Sequence, residues 1–471
     1  MAALLRERAV QIRQLASLAP RAIRSKGLAS IADQGIISAG NFLTGVVLAR
    51  SLDQSQFGVW VLGTLVIYFA LSMQNGLMST PLTINGAALD LASFRRNLRA
   101  NLVLHLVFTV ASCACIAVVA LVWEPLRPVF VPLVLTAGLW EFQEFCRRVL
   151  YTRLQVWSAL INNAVNYDLQ AVLLAIVVLS IGMTLQLAFW LVAATSLLAA
   201  LLGCWQLRPF LTRHGDDPWV VGRANFRIGR WSSASALLSA AGYQWYPALL
   251  AILDNVASAA VLGVFSQLLG PVNLLVRPLQ SYYQPLAVRS LAERGRAGLN
   301  SVLAKATLVI GPAYAAYMLV VALAPGLFLR LVYGGTYVAY QDTLRLFALV
   351  NLVFIPGQLL GVELAARRMQ RVLFWGEMSS VLVVYTVGLA LIARLGVLGV
   401  VFSTAISGSV QLVLYTAIVL RTRQRERAGV TSTLAQSRAY RHRGLLLPDR
   451  ARHAPDKLDD APPVGVGVEV G

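Results

Sequence analysis

Charged side chains are scarce in this sequence. They make up 13% of its 471 residues, whereas apolar types make up 58%. A soluble domain is typically about 25% charged, so this chain has too few charges to cover a surface that faces water. The composition therefore excludes an ordinary soluble protein and favours a protein that faces lipid.

Cysteine and histidine are also rare, with four of each. Cys113 and Cys115 are two residues apart on a predicted helix and so point to different faces. We expect the cysteines to be small apolar packing residues, since their spacing fits neither a metal site nor a disulfide framework. The sequence has no Gly-rich phosphate loop, H-E-x-x-H or G-x-S-x-G motif, so it predicts neither a cofactor nor an enzyme.

The abundant apolar residues form continuous blocks. Each block is about 20 residues long, enough to cross the roughly 30 Å of hydrocarbon in a bilayer as a helix. Strands of a barrel would instead be short and alternating. We therefore predict an all-α polytopic membrane protein with about twelve spans. The predicted spans are 27–49, 58–80, 100–122, 128–146, 157–181, 184–206, 231–252, 256–280, 302–324, 342–364, 373–393 and 396–420.

Lysine and arginine are distributed unequally between alternate loops. One set of loops, with the N-terminus and the start of the C-terminal tail, carries 28 of the 40 basic residues, whereas the other set carries five. Because cytoplasmic loops carry the excess of Lys and Arg, both termini are predicted to be cytoplasmic and the number of spans to be even. We call these two surfaces the basic face and the far face. The five basic residues of the far face are Arg50, Arg127, Arg330, Arg345 and Arg394.

The formal net charge of +19 would suggest nucleic acid as the partner of a soluble protein. Here the topology accounts for much of that charge, and anionic lipid headgroups attract basic residues near a membrane surface. We therefore predict membrane lipids as partners and no nucleic acid.

Twelve spans divide into two six-helix bundles. An even number of spans in each bundle gives both the same orientation, which predicts a parallel pseudo-twofold repeat. Ser51-Leu52-Asp53-Gln54 and Ile252-Leu253-Asp254-Asn255 form a short echo between the halves. The predicted segments are a basic cytoplasmic lead-in without a cleavable signal at 1–26, bundles at 27–206 and 231–420, a cytoplasmic linker at 207–230, and a disordered cytoplasmic tail at 421–471.

Polar side chains inside a membrane are costly and are the first candidates for a functional site. On span 8, Asn273, Arg277, Gln280 and Gln284 are spaced by four, three and four residues and fall on one helix face. Prolines recur every seven residues on this helix and predict a kink. The stripe predicts a cationic lining for a central cavity; alternatively, Arg277 snorkels to the surface and the amides pack between helices.

Spans 1 and 5 carry further candidates. Gln34 and Asn41 are seven residues apart on span 1 and share a face, with Asp33 beside them. Asp33 is either an ion-coupling site or, as we favour, a carboxylate at the cytoplasmic interface that pairs with an arginine. On span 5, Asn162, Asn166 and Gln170 form an amide row that either contacts sugar hydroxyls or makes interhelical hydrogen bonds.

Isolated carboxylates complete the set. Glu363 and Glu377 are candidates for ion coupling, although a structural role is the simpler interpretation for each.

Glu144 and Arg148 are four residues apart near the end of span 4, a spacing that suits an ion pair. The adjacent pair Arg147 and Arg148 is also able to attract a phosphate.

Three motifs resemble those of a known family. Residues 32–43, Ala-Asp-Gln-Gly-Ile-Ile-Ser-Ala-Gly-Asn-Phe-Leu, are followed by Ala49-Arg50-Ser51-Leu52 and Phe57-Gly58; Arg147–Arg153 and Leu331–Tyr337 support the match. The chain resembles the Wzx-type O-antigen flippases of the multidrug/oligosaccharidyl-lipid/polysaccharide exporter superfamily. The likeness covers residues 27–420 by topology and about 50 residues by motif.

This resemblance implies a function at the bacterial inner membrane. It implies that the protein moves undecaprenyl-pyrophosphate-linked oligosaccharide to the periplasmic leaflet by alternating access, alongside other polysaccharide assembly proteins. An arginine-lined cavity would shelter the diphosphate and sugars, which cannot cross hydrocarbon unaided. Two alternatives remain open: a multidrug or small-molecule antiporter of the same superfamily, and a membrane polysaccharide polymerase or ligase, against which the short far-face loops argue.

Overall fold

The structure is a computed structural model that describes residues 29–30 and 32–444. Side chains are described as far as Gln424, except at positions 235, 239, 243, 278, 280 and 281. The predicted lead-in at 1–26 and the end of the predicted tail, 445–471, lie outside the described residues.

Apolar helices dominate the described residues. Ten helices there are long and apolar enough to cross a membrane, and there are eleven if Pro218–Gly242 and Tyr246–Leu253, bent by 44°, form one span. A further helix covers residues 32–51. Together they match the twelve predicted spans in order, which confirms the predicted all-α membrane fold. The ten are Gln54–Ala87, Leu91–Val122, Glu124–Thr152, Val156–Ser180, Leu185–Phe210, Val256–Arg277, Gln284–Leu323, Val338–Ala366, Gln370–Leu395 and Val397–Gln424. We number the spans 1 to 12 in chain order.

The short sequence echo between the halves lies at equivalent helix starts. Asp53 caps span 2 by accepting from the backbone N–H of Gln56 at 2.8 Å, and Asn255 caps span 8 by accepting from that of Ser258 at 2.8 Å. Such caps satisfy donors that the first helical turn leaves without partners. The echo thus marks the same far-face turn in both bundles.

Among the described residues, five π-helical turns lie within the spans or directly after one. A π turn inserts one extra residue into a helix and is frequent at functional sites. Spans 2 and 8 hold equivalent places in the two bundles, as do spans 5 and 11; spans 2, 5 and 11 each contain a π turn, and another follows directly after span 8. The parallel repeat is therefore visible in helix defects as well as in topology. The turns are Asn75–Ser79, Ala164–Asp168, Ala240–Gln244, Leu279–Tyr283 and Val384–Gly388.

The linker between the bundles is shorter than predicted, because the helix of span 7 begins at Pro218. Arginines of span 3 hold the preceding segment. Arg95 and Arg99 donate to the carbonyls of Pro209 and Thr212 at 2.9 and 3.0 Å, and Arg96 lies 3.5 Å from Asp216. The basic cluster at the start of span 3 therefore fastens this connection to the N-terminal bundle.

The bounds of two other helices differ from the predicted ones. The helix Gln284–Leu323 begins well before the predicted span 9 and turns at Gly295, whose φ of 59° favours glycine. The last helix is Val397–Gly444, so residues 421–444 are helical where disorder was predicted. An arginine-rich, apolar-poor sequence resembles a disordered segment by composition, yet Arg, Gln, Glu and Ala are also good helix formers.

Candidate functional site

A cavity of about 1110 Å³ lies between the two bundles. Residues of spans 1, 2, 4 and 5 line it on one side, and residues of spans 7 to 10 and 12 line it on the other. Ligand pockets usually measure about 300–1,000 Å³, so this one has room for a large polar group. The charged residues among its described lining are Glu144, Arg147, Arg148 and Arg277.

Toward the far face the two bundles close on each other. Arg50 donates through Nε to the carbonyl of Val332 at 2.6 Å and through a second N–H to that of Leu331. Gln54 donates to the carbonyl of Ala257 at 3.2 Å. A Cβ at Gly58 would overlap the carbonyl oxygen of Val256, which shows how closely spans 2 and 8 approach. The cavity is therefore closed at this end by hydrogen bonds to carbonyls and by close packing of spans 2 and 8.

Span 8 places part of its predicted polar stripe in the cavity. Asn273 and Arg277 both line the cavity and are exposed within it. Pro271 lies in a 3-10 segment, Gly270–Val272, and a π turn follows at Leu279–Tyr283. The helix is therefore irregular on both sides of Asn273 and Arg277, which is consistent with the predicted kink.

The rest of the stripe departs from the prediction. Gln284 is half-buried and is not among the described lining residues. The π turn explains this, because one extra residue per turn rotates everything beyond it by about 100°. The side chain of Gln280 lies outside the described part of the chain.

Span 4 presents a charged group to the cavity. Arg147 donates through Nε and a terminal N–H to the two carboxylate oxygens of Glu144 at 2.7 and 2.6 Å. Arg148 donates through Nε to the same carboxylate at 2.8 Å. The predicted ion pair between Glu144 and Arg148 is present, and Arg147 makes the more complete, bidentate contact.

Asp33 lies behind this group and is 2% exposed. It accepts from the hydroxyl of Tyr151 at 2.5 Å and from the amide of Asn163 at 2.6 Å, and Arg147 lies 3.7 Å away. Three spans thus converge on one carboxylate. The geometry agrees with the pairing to an arginine that we favoured, although its role in ion coupling stays a prediction.

The other candidates on span 1 face the cavity side of the N-terminal bundle. Gln34 lines the cavity and donates to Ser38 at 3.4 Å. Asn41 accepts from the hydroxyl of Tyr68 at 3.4 Å, and Tyr68 itself lines the cavity. Gln34 is therefore part of the cavity lining, whereas Asn41 contacts a lining residue, Tyr68.

The amide row of span 5 is buried in a hydrogen-bond network. Asn162 donates to the carbonyl of Ala199 at 2.7 Å and accepts from Gln143 at 2.8 Å. Asn166 accepts from Ser196 at 3.0 Å, and Gln170 donates to Thr44 at 2.9 Å. None of the three amides is among the described lining of the cavity. In this conformation the row makes the interhelical hydrogen bonds that were the alternative to sugar contact, because its amides face spans 1, 4 and 6.

The two isolated carboxylates lie away from the cavity lining. Glu363 is 1% exposed and pairs with Arg367 at 3.1 Å. Glu377 accepts from Gln411 at 3.2 Å. Both have nearby structural partners, and their role in ion coupling stays a prediction.

An aromatic group beside the charged residues was missed by sequence reasoning. Tyr68, Trp140 and Tyr167 line the cavity in edge-to-face contact, with ring centroids 5.7 and 5.8 Å apart. Their positions on spans 2, 4 and 5 are far apart in sequence, and aromatic residues are common in every membrane helix. The sequence predicts the pair Arg147 and Arg148 only as a group that is able to attract a phosphate, because the four-residue spacing of Glu144 and Arg148 indicates an ion pair first.

No protein-family model and no curated protein matches the sequence. Solved structures match its fold. An inward-facing multidrug resistance MATE transporter of the MOP superfamily aligns with a TM-score of 0.63 at 15% identity, over 85% of this chain and 98% of that one. The lipid II flippase MurJ, in an inward closed conformation, aligns with a TM-score of 0.67 at 11% identity, over 83% and 87%. An outward-facing MATE transporter gives a TM-score of 0.54 at 15% identity, over 86% and 96%.

At these identities the similarity defines the fold. The protein is a multi-pass membrane protein with the two-lobed, twelve-helix fold of MOP superfamily transporters.

Proposed function

We propose that this protein flips a lipid-linked oligosaccharide, carried on undecaprenyl pyrophosphate, across the bacterial inner membrane. The observation that carries the proposal is the charge of the cavity, which has three arginines and one glutamate among its described lining residues. Arg277 comes from one bundle, and Arg147 and Arg148 come from the other. Guanidinium groups bind phosphate oxygens in bidentate geometry, so an anionic head group is the best match.

The rest of the lining suits a glycan. Amides such as Gln34 and Asn273 offer both donors and acceptors to hydroxyl groups. Tyr68, Trp140 and Tyr167 offer flat apolar faces with polar edges beside them. The cavity thus replaces water around the polar head, while the lipid chain stays in the bilayer.

Alternating access supplies the direction of transport in this proposal. The cavity is sealed toward the far face, and its charged residues lie near the basic ends of spans 4 and 8. With the basic face in the cytoplasm, as the distribution of arginine predicts, the described conformation faces the side where the glycan lipid is made. No enzymatic step is required, and an ion gradient or the membrane potential would drive the cycle. Asp33 is the candidate for coupling, because it contacts Arg147 directly.

A multidrug exporter is the second candidate, because MATE transporters share this fold. Cationic drugs need an available carboxylate in the cavity. Glu144 is the carboxylate in the described lining, and two arginines already occupy its oxygens. The charge balance therefore favours the lipid-linked anion.

The test is to delete the gene and follow the lipid-linked intermediates by leaflet. A flippase defect should leave them on the cytoplasmic leaflet, and the wild-type gene should restore their normal distribution. The same strains are tested for drug sensitivity in an efflux-deficient background. A normal leaflet distribution together with increased drug sensitivity would replace our proposal with the multidrug function.

A further inference from the structure

Glu144, Arg147 and Arg148 form one ion-paired group at the edge of the cavity. The Glu144 carboxylate accepts from Nε of both arginines and from a terminal N–H of Arg147. These are the same N–H donors that would bind any other anion entering the cavity. The carboxylate therefore occupies the anion-binding position of the arginine pair.

The two carboxylates around Arg147 are held differently. Asp33 has a 3% exposed side chain and is also held by Tyr151 and Asn163, so it keeps its position without Arg147. The Glu144 side chain is 13% exposed, and its described polar contacts are those to Arg147 and Arg148. Glu144 is thus the carboxylate that can turn away, while Asp33 keeps Arg147 in place.

We propose that Glu144 is an exchangeable counter-ion, which gives up the arginine N–H donors when a diphosphate group enters the cavity. The inference rests on the proposed function only in assigning the diphosphate to a lipid-linked glycan. Carboxylate and phosphate groups both present paired oxygens to a guanidinium, so one replaces the other without moving the arginines. The released carboxylate turns toward the water of the cavity.

An exchangeable counter-ion suits a transporter. Without Glu144, the two adjacent guanidinium groups would have Asp33, 3.7 Å from Arg147, as their described counter-charge, and incompletely compensated buried charge is destabilising. Glu144 removes that cost when the cavity is empty. It also competes with the diphosphate, which weakens binding and allows release on the other side of the membrane.

The test measures binding of inorganic pyrophosphate to the purified full-length protein in lipid nanodiscs by calorimetry. Glu144→Gln removes the competing charge but keeps the shape of the side chain, so pyrophosphate should bind about tenfold more tightly than to the wild type. Arg147→Gln combined with Arg148→Gln should abolish the binding. Equal or weaker binding by Glu144→Gln would overturn the inference.

The chain offers a matched control. Arg289 and Glu293 form a similar ion pair at 2.6 Å, with side chains 76% and 49% exposed and outside the cavity lining. Glu293→Gln makes the same chemical change and should leave pyrophosphate binding as in the wild type. If Glu144→Gln is not monodisperse, Glu144→Asp carries the test, because its shorter side chain reaches the arginines less well. An unchanged affinity of that variant would also reject the exchange.

A second arm separates this inference from the proposed function. Undecaprenyl pyrophosphate in the same nanodiscs should compete with inorganic pyrophosphate if the diphosphate is part of a lipid. Tighter pyrophosphate binding by Glu144→Gln, without competition by the lipid, would support the counter-ion exchange and reject the lipid-linked substrate. If the lipid competes and Glu144→Gln has no effect on pyrophosphate binding, the lipid-linked substrate is supported and the counter-ion exchange is rejected.

Discussion

At the far face the two bundles meet through buried apolar side chains and hydrogen bonds to carbonyls, whereas toward the basic face they part around a charged cavity. Span 8 contributes to both regions. Near its start, Ala259, Ala260 and Val261 are fully buried. Farther along, Asn273 and Arg277 are exposed in the cavity. The closed end combines hydrogen bonds to carbonyls with apolar packing, because Phe57 of span 2 and Val261 of span 8 belong to the same buried cluster. One interface thus combines a charged cavity with a packed seal, which would have to open if access alternates.

The largest effect on flipping is expected for a substitution in the cavity. Arg277→Ala removes the cation that the C-terminal bundle contributes to the cavity, and we expect flipping to fall by up to about 100-fold, since a lost contact to a charged group costs up to about 3 kcal/mol. Complementation of the deletion strain measures it, with protein abundance checked by immunoblot. Arg289→Ala is the control, because Arg289 is on the surface. Full activity of Arg277→Ala would remove this residue from the site.

A smaller effect is expected where spans 2 and 8 meet. Gly58→Ala adds a Cβ that would overlap the Val256 carbonyl, so the far-face seal should fail to close fully. We expect flipping to fall about tenfold, by analogy with the 1–3 kcal/mol cost of overpacking. Gly361→Ala is the control, because its Cβ would meet no atom within 4 Å. Equal activity of the two variants would show that the seal does not require close approach at Gly58.

The same comparison shows what sequence reasoning can reach. All twelve spans were predictable, because hydropathy acts over 20 residues and needs no knowledge of neighbours. Asn273 and Arg277 were predictable as a stripe on one helix. Gln284 was not placed correctly, because the π turn at Leu279–Tyr283 depends on packing rather than on helix periodicity. The contacts of Asp33 with Tyr151 and Asn163 join residues more than 100 positions apart, which a single sequence does not reveal.

A weaker perturbation of the seal is Arg50→Gln. It removes the hydrogen bonds to the carbonyls of Leu331 and Val332, which an exposed side chain makes and which water can partly replace. We expect Ser266→Cys, a cavity position, to be labelled several-fold faster by an impermeant thiol reagent from the far face. The background for this measurement has the four native cysteines replaced by alanine. Arg394→Gln, on the same face, is the control, and equal labelling rates in both would locate the seal elsewhere.

The smallest effect is expected for a substitution next to Asp33, behind the cavity lining. Tyr151→Phe removes the hydroxyl that donates to Asp33 at 2.5 Å and leaves the ring contact with Arg147 intact. We expect the free energy of unfolding to fall by about 1–3 kcal/mol, because a buried carboxylate loses a donor. Thermal unfolding in detergent measures the change, with Tyr282→Phe as the control because Tyr282 is 63% exposed. If Tyr151→Phe is as stable as the wild type, Asn163 and Arg147 are enough to hold Asp33. The contrast between a fixed Asp33 and an exchangeable Glu144 would then rest on fewer contacts.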